Sequence, residues 1–518
     1  MQRKKLALRQ ALALASAPAL VAALTGWPAA ARAEAPKLEI PFERYQLDNG
    51  LTVILSEDHT VPTVTVNVMV HVGSRFEAPK RTGFAHLFEH LMFMGTDRVP
   101  TGKYDEWMEA EGGSNNAWTS EDRTDFFDVG PAHSLPLLLW LEADRLGALG
   151  ATMTQEKLEV QRKVVRKERQ QRTENQPYMK GIELRLPELL YPEGHPYHHP
   201  VIGSHEDLEA ATLDDVKGFF AQNYVPSNMS LVVAGDFDAK ATKVTIQKLF
   251  DTLPKAPAPA EPPRPPVPKL THAVRETLED DVQLAKIVMA WHSPARFQPG
   301  DAELDLLSNV LDHGKASRLY KALVFDKELA QSVSATQESR DLSGQFTLEI
   351  VARPKVDLAE IERVVDAELA KLAKEPVTQA ELDRARNDYE TGFVRQLESV
   401  ENRASQLNAY QTYVGDPGFI QKDLERYRSV TRDTLFATAK SVLDPEARVV
   451  LRIVPKGTSA ESSKTDASKP ARAAGEAKPP AKPETKPATK PSDKAPAPKP
   501  QGDKKSPQRP ETKKGGAK

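Results

Sequence analysis

Thr63 to Val72 reads Thr-Val-Thr-Val-Asn-Val-Met-Val-His-Val, and Val282 to Trp291 reads Val-Gln-Leu-Ala-Lys-Ile-Val-Met-Ala-Trp. Alternation of β-branched and other residues over eight or more positions is the pattern of a strand with two unlike faces. Each run leads, past an Arg-Phe pair (Arg75-Phe76 and Arg296-Phe297), into a helical stretch, Phe84 to Met94 and Ala302 to Leu311. The repetition predicts two divergent copies of one strand-then-helix plan.

Between the copies, 255–268 is a proline-rich bridge, Lys-Ala-Pro-Ala-Pro-Ala-Glu-Pro-Pro-Arg-Pro-Pro-Val-Pro, which neither a helix interior nor a central strand accommodates. It divides the chain into halves at 40–254 and 269–456. The first half adds a long charged helix over Thr154 to Thr173 and a strand over Asn228 to Val233, closed by Gly235-Asp236. The second adds a strand around Gln345 to Val351 and helices around Asp357 to Leu372 and Gln379 to Leu407. Strands and helices mixed within each half predict an α+β fold: two homologous α/β sandwiches, each a largely antiparallel sheet packed with helices.

The ends differ in kind from this core. Residues 1–33 carry only basic charges, then an apolar stretch from Leu12 to about Trp27, then Ala31-Arg32-Ala33. That order is a secretory signal peptide with cleavage after Ala33, too short to span a bilayer comfortably, so the expected location is periplasmic or secreted with no transmembrane span after its removal. An organellar presequence would be amphipathic, and this stretch is apolar all round. Residues 457–518 collapse to Lys, Pro, Ala, Ser, Thr and Glu, a composition expected to remain a disordered tail. The ends hold a basic surplus of about five and about eight, so a net charge of −3 over 518 residues leaves the core near −16. An acidic core argues against a nucleic-acid-binding surface. The absence of cysteine excludes thiolate metal sites, disulfides and a cysteine nucleophile.

The helical stretch in the first half contains His86-Leu87-Phe88-Glu89-His90. Residues four apart share a helix face, so both imidazoles can reach one cation, and Glu89 borders that face closely enough to meet a water held there. A hydrolytic zinc site needs a third protein ligand. Glu168 is the candidate, because it continues the apolar stripe of Leu158, Val164 and Val165 along the 154–173 helix. A carboxylate on a buried stripe requires a positive partner. The expected cofactor is one Zn2+ per chain held by His86, His90 and Glu168, with Glu89 as the general base that takes the water's proton and returns it to the leaving amine.

The motif with its continuation Leu91-Met92-Phe93-Met94-Gly95-Thr96 resembles the pitrilysin or insulinase family of inverted-motif zinc peptidases, in particular bacterial periplasmic homologues of the mitochondrial processing peptidase. Further matches follow in order: Gly112 to Ser120, Val164-Val165-Arg166-Lys167-Glu168, His195-Pro196-Tyr197 with Ile202-Gly203-Ser204, Val232 to Asp236, and Ser317-Arg318-Leu319-Tyr320. The resemblance implies the same zinc ligands and base. It also implies that Asn116 and Ala117 lie on an edge strand that holds extended peptides by backbone hydrogen bonds, and that Phe93 lines the pocket beside the scissile bond. The His195 to His199 cluster matches a loop that carries no metal in the family.

Two departures carry expectations. Seven residues before Glu168, where the family usually has a second glutamate supporting the site, stands Gln161, which can hydrogen-bond a ligand but adds no charge. Many relatives also have an Arg and a Tyr, seven apart, that stabilise the oxyanion; here those positions are Val324 and Gln331. The expected function is a zinc endopeptidase for extended or unfolded peptides. It would be the zinc-bearing subunit of a heterodimer whose homologous partner supplies the Arg/Tyr pair, with a homodimer as the alternative arrangement. The competing function is a non-catalytic peptide-binding or assembly subunit of the same fold.

Overall fold

The computed structural model describes residues 38–457. The expected signal peptide with its cleavage point, and the tail from 458 onward, lie outside the described residues. Six strands, β1 (Glu43–Gln46), β2 (Thr52–Glu57), β3 (Thr63–Val70), β4 (Ser114–Thr119), β5 (Thr124–Pro131) and β6 (Met229–Gly235), form a sheet in the order β1-β2-β6-β3-β5-β4. Five more, β7 (Val274–Asp280), β8 (Lys286–Ser293), β9 (Ala330–Glu338), β10 (Gly344–Ala352) and β11 (Val449–Pro455), form a second in the order β7-β11-β8-β10-β9.

The sheets are copies of one topology. The pair β2/β6 is parallel and its neighbours antiparallel. In the second sheet β7/β11 is parallel and the rest antiparallel, with β8, β10 and β9 standing where β3, β5 and β4 stand in the first. Only β1 has no counterpart. The architecture is therefore α+β, two sheets packed with helices.

Strand composition follows from burial on both faces. In β6 every residue of Met-Ser-Leu-Val-Val-Ala-Gly is buried. Leu231 and Val233 turn into the main core of the first half, whereas Val232 and Ala234 turn the other way with Ile54 of β2. There they meet Val400, Ala404 and Leu407 of the Val400–Val414 helix, which belongs to the second half in sequence. The exchange is reciprocal. Leu186 and Leu190, from the short Leu186–Leu190 helix of the first half, pack on Val288, Ala290, Val449, Leu451 and Ile453 of the second sheet. Each half thus covers the outer face of the other's sheet, and all described residues fall in one compact unit.

The proline-rich bridge has no helix or strand and is pinned to both halves. The buried Arg75 guanidinium donates from Nη2 to Glu261 Oε2 at 3.1 Å and to Asp341 Oδ2 at 3.1 Å. Arg264 of the bridge donates to both carboxylate oxygens of Asp341, at 2.8 and 3.0 Å.

Three details differ from the sequence reading. The second-half strand begins at Lys286, after the separate polar strand β7. The expected Gln379 to Leu407 helix is two, Gln379–Gln396 and Val400–Val414, because the Ser399 hydroxyl caps a new start by accepting from Asn402 N at 3.4 Å. The Thr154 to Thr173 stretch is an α-helix only over Gln155–Glu168 and widens to a π-helical turn over Arg169–Glu174.

Candidate metal centre

The helix Phe84–Leu91 carries the motif and buries Phe84, Ala85, Leu87, Phe88 and Leu91, which leaves His86, Glu89 and His90 on the other face. Its start is fixed by a close approach of two backbones. Gly83 caps it with φ 86°, and a Cβ there would lie 2.7 Å from the carbonyl oxygen of Ile202, while one on Gly203 would lie 2.4 Å from Gly83. Only glycine fits at both positions. The Glu77 carboxylate accepts from the N–H groups of Gly83 and Ala85 at 2.9 and 2.8 Å, satisfying amides that the helix itself leaves free.

The helix Gln155–Glu168 delivers the third candidate. Leu158 and Val165 are buried as the apolar stripe requires, and Arg162 is buried beside them, donating to the carbonyl of Ala211 and to Glu159. Val164, assigned to that stripe from the sequence, is instead 43% exposed. The buried face runs through Leu158, Arg162, Val165 and Glu168, because an arginine with carbonyl and carboxylate partners can take a place that hydropathy assigns to valine.

His86, His90 and Glu168 come together, with candidate ligand atoms all within 4.8 Å of one another. Glu168 Oε2 lies 3.0 Å from His90 Nε2 and 3.7 Å from His86 Nε2. Ligands about 2.0–2.1 Å from a tetrahedral ion stand about 3.3 Å from each other, so this spacing fits a zinc ion. Charge states fit as well. Burial, then the neighbouring His90, holds the His86 imidazole down to about 4, which keeps it neutral. The hydrogen bond with His90, reinforced by the charges of both histidines and Arg172, outweighs burial and holds Glu168 below the usual carboxylate range. Neutral imidazole and ionised carboxylate are the forms that bind metal. Glu168 Oε1 accepts from Arg172 Nη1 at 2.8 Å, while the buried Oε2 is turned toward the two histidines.

Glu89 is held from the edge strand: Thr119 Oγ1, at the end of β4, donates to Glu89 Oε2 at 2.6 Å. Burial pushes the Glu89 carboxyl up, against that hydrogen bond. Thr119 was not among the residues read from the sequence, where nothing distinguishes it from other strand threonines.

The remaining candidates are placed as follows. Asn116 and Ala117 lie on β4, which among the described residues pairs only with β5 and has no strand on its other edge. The Asn116 side-chain oxygen accepts the Ala117 N–H at 2.9 Å. Phe93 is half-buried, edge-on to Tyr104 with centroids 5.6 Å apart and 4.9 Å beneath the buried Arg145 guanidinium. Gln161 donates from Nε2 to the Met94 sulfur at 2.7 Å, and its carbonyl oxygen is buried without a partner. Among the described residues no hydrogen bond joins Gln161 to His86, His90 or Glu168.

The second half repeats the scaffold without the chemistry. Its helix Asp301–Asp312 also starts from a left-handed glycine, Gly300. Counting from the two glycines, His86, Glu89 and His90 correspond to Glu303, Leu306 and Leu307.

A duplicated α+β scaffold with an inverted two-histidine, one-glutamate motif on one copy alone defines the class of inverted-motif metallopeptidases. The chain belongs to the insulinase family, peptidase family M16. Residues 52–193 match the family described as insulinase (peptidase family M16), and residues 210–389 match the one described as peptidase M16 inactive domain. The zinc protease PqqE of Helicobacter pylori is 32% identical over 361 residues, 69% of this chain and 80% of that one. Among solved structures, a protease from Helicobacter pylori is similar with a TM-score of 0.75 and 28% identity, covering 81% of this chain and all of that one. The first half of the periplasmic protease PqqL from Escherichia coli shares the fold, with a TM-score of 0.68 at 19% identity over 82% of this chain and 95% of that one. Among the described residues no helix is long and apolar enough to cross a membrane.

Proposed function

We propose that this chain is a zinc-dependent endopeptidase acting on extended or unfolded peptides. The observation that carries the reading is the convergence of His86 Nε2, His90 Nε2 and Glu168 Oε2, with Glu89 on the same helix face and bound to the tip of an open edge strand. The chemistry supplied by zinc in a donor set of this kind is Lewis-acid activation of water at neutral pH. Glu89 takes the proton from the attacking water and delivers it to the leaving amine, and the Thr119 hydroxyl fixes the direction of its carboxylate. The free edge of β4 offers backbone groups to a peptide laid alongside it, with Asn116 releasing the Ala117 N–H as the peptide arrives. Backbone recognition explains why an extended chain, rather than a particular folded surface, is the substrate.

The heterodimer follows from the second half. Val324 packs on the second core, and Gln331 stands exposed on β9, so neither expected oxyanion position carries an Arg or Tyr. One such donor is worth about 10²–10³ in rate. A homologous subunit supplies the missing pair in this reading, and a homodimer with other donors is the competing arrangement. The leader-like segment at 1–33, and the word periplasmic in the name of the PqqL relative, support the periplasm as the location.

Zinc analysis and fluorogenic-peptide cleavage test the reading on the intact protein and on Glu89→Gln, each alone and with a homologous chain lacking the His pair. One zinc per chain in both forms, with turnover falling at least 10²-fold in Glu89→Gln, is the expected result. Undiminished turnover in the variant removes Glu89 from the chemistry, and full activity of the lone chain removes the divided site.

A further inference from the structure

Two cavities flank Glu168 and differ in charge. The larger, about 540 Å3, opens on the His90 side between Lys163, Val164, Lys167 and Arg172. The smaller, about 270 Å3, opens on the His86 side beneath Thr119, with Met179, Val201, Ile202 and the carboxyl of Glu183 in its wall. Arg172 borders both, but its guanidinium is engaged by Glu168.

Neither lysine is in a close ion pair, although Glu159 lies near enough to Lys163 to feel its charge. On the same helix Arg162 pairs with Glu159, Arg166 with Glu209 and Arg172 with Glu168. Among the described residues, neither Lys163 nor Lys167 has a carboxylate within ion-pair distance. They sit four residues apart, so both ammonium groups overhang one helix face, and Val164 between them gives that face an apolar floor. This local basic rim stands on a core whose net charge is near −16. A like-charged protein gains nothing in solubility from two cations at the mouth of its site; a substrate carboxylate gains two partners there.

We propose that the His90-side cavity receives an aspartate or glutamate side chain next to the bond to be cut, so that acidic peptides are the preferred substrate class. The proposal rests on the peptidase reading and adds its specificity. The Cβ and Cγ of the acidic residue lie on Val164 and the lysine stems, and its carboxylate lies between the two ammonium groups. Partly exposed ion pairs are modest, so the preference over an isosteric amide is about three- to tenfold at low salt and shrinks as salt screens it.

The test uses the full chain with its metal, alone and with a homologous chain lacking the His pair, and matched peptides carrying Asp, Asn or Lys at each position flanking the cleaved bond. Two readouts are taken: kcat/KM ratios, and binding of the same peptides to the Glu89→Gln protein by fluorescence anisotropy. The wild type is expected to favour Asp over Asn about three- to tenfold at one flanking position. The K163Q/K167Q protein should bring that ratio near one, and the K163E/K167E protein should invert it in favour of Lys. Equal handling of Asp and Asn by the wild type, or a ratio that both double variants leave unchanged, overturns the proposal. Tighter binding of the Asp peptide with no cleavage of any peptide, with or without the homologous chain, upholds the cavity assignment and removes the peptidase reading instead. Both lysines are exposed, so charge substitution there leaves the core untouched.

Discussion

Glu168 shows how one carboxylate can be set up for a cation by its surroundings. One oxygen is tied to Arg172, and the other is buried against two imidazoles, of which His86 is kept neutral by burial and by its neighbour. A cation held there would meet the buried carboxylate oxygen and both ring nitrogens at once. Bound metal therefore contributes to folding stability, by about 4 kcal/mol where its free concentration is 1,000 times its Kd. Chelation of the purified protein should lower Tm by several degrees, and added zinc should restore it. Glu168→Ala should melt at one temperature with or without chelator and carry well under one zinc per chain. Melting that ignores chelator in the wild type would show that the three side chains hold no ion. The convergence of His86, His90 and Glu168 was legible because helix periodicity places His86 over His90, and a carboxylate on a buried stripe needs a partner. Val164 was misassigned because hydropathy cannot foresee that Arg162 takes the inward position.

At the scale of elements, the Val400–Val414 helix joins the halves through polar as well as apolar groups. Asp125 of β5 accepts from Asn67 Nδ2 at 2.5 Å and from Ser405 Oγ of this helix at 3.2 Å. Asn408 donates to Asn67 Oδ1 at 2.6 Å and accepts from the Ser230 hydroxyl. Burial pushes the Asp125 carboxyl up to about 6, from 3.8. A raised carboxyl pKa means that the folded chain holds a proton the unfolded chain has released. The contribution is fully present below about pH 4 and is lost as pH rises through about 6, with a size of roughly 3 kcal/mol. Asp125→Asn keeps the shape and the Asn67 contact but removes the titration. Denaturant unfolding at pH 4 and pH 7 should show the variant gaining on the wild type by roughly that amount at the higher pH. A constant difference would mean that Asp125 does not titrate in this window. Neither this network nor the helix that makes it was legible as an interface. Val400, Ala404 and Leu407 read as an ordinary amphipathic face, and sequence says nothing about which sheet such a face covers. The strand β7 was missed for a related reason: Val-Arg-Glu-Thr-Leu-Glu-Asp alternates between half-buried and exposed positions at the edge of its sheet, so its apolar signal is weak.

For the whole molecule, the duplication explains why one half bears the chemistry and the other does not. The proline bridge and the repeated strand-helix plan were readable from composition and periodicity. The mutual exchange of helices was not, because it depends on contacts between residues about 100 or more apart in sequence. Its consequence is that the bridge is not what holds the halves together. Fully burying a Val, Leu or Ile side chain is worth about 1.5–3 kcal/mol, so Ile54, Val232, Val400 and Leu407 alone supply roughly 6–12 kcal/mol at one crossing. The Leu186–Leu190 crossing adds a second apolar contact, and Arg75 of the first half adds its ion pair with Asp341 of the second. Together these exceed most of the 4–15 kcal/mol that joining two free bodies costs. A specific protease site inserted between 257 and 260 spares Glu261 and Arg264 and tests the point. After complete cleavage the two fragments should elute as one particle with unchanged zinc content, and part only in denaturant. Residues 38–257 produced alone should instead bind a hydrophobic dye and aggregate, because Ile54, Val232 and Ala234 then face water. Co-production with 269–457 should suppress both behaviours. Separation of the nicked fragments in plain buffer would show that the covalent bridge, rather than the exchanged helices, keeps the half with the histidine pair folded against its copy.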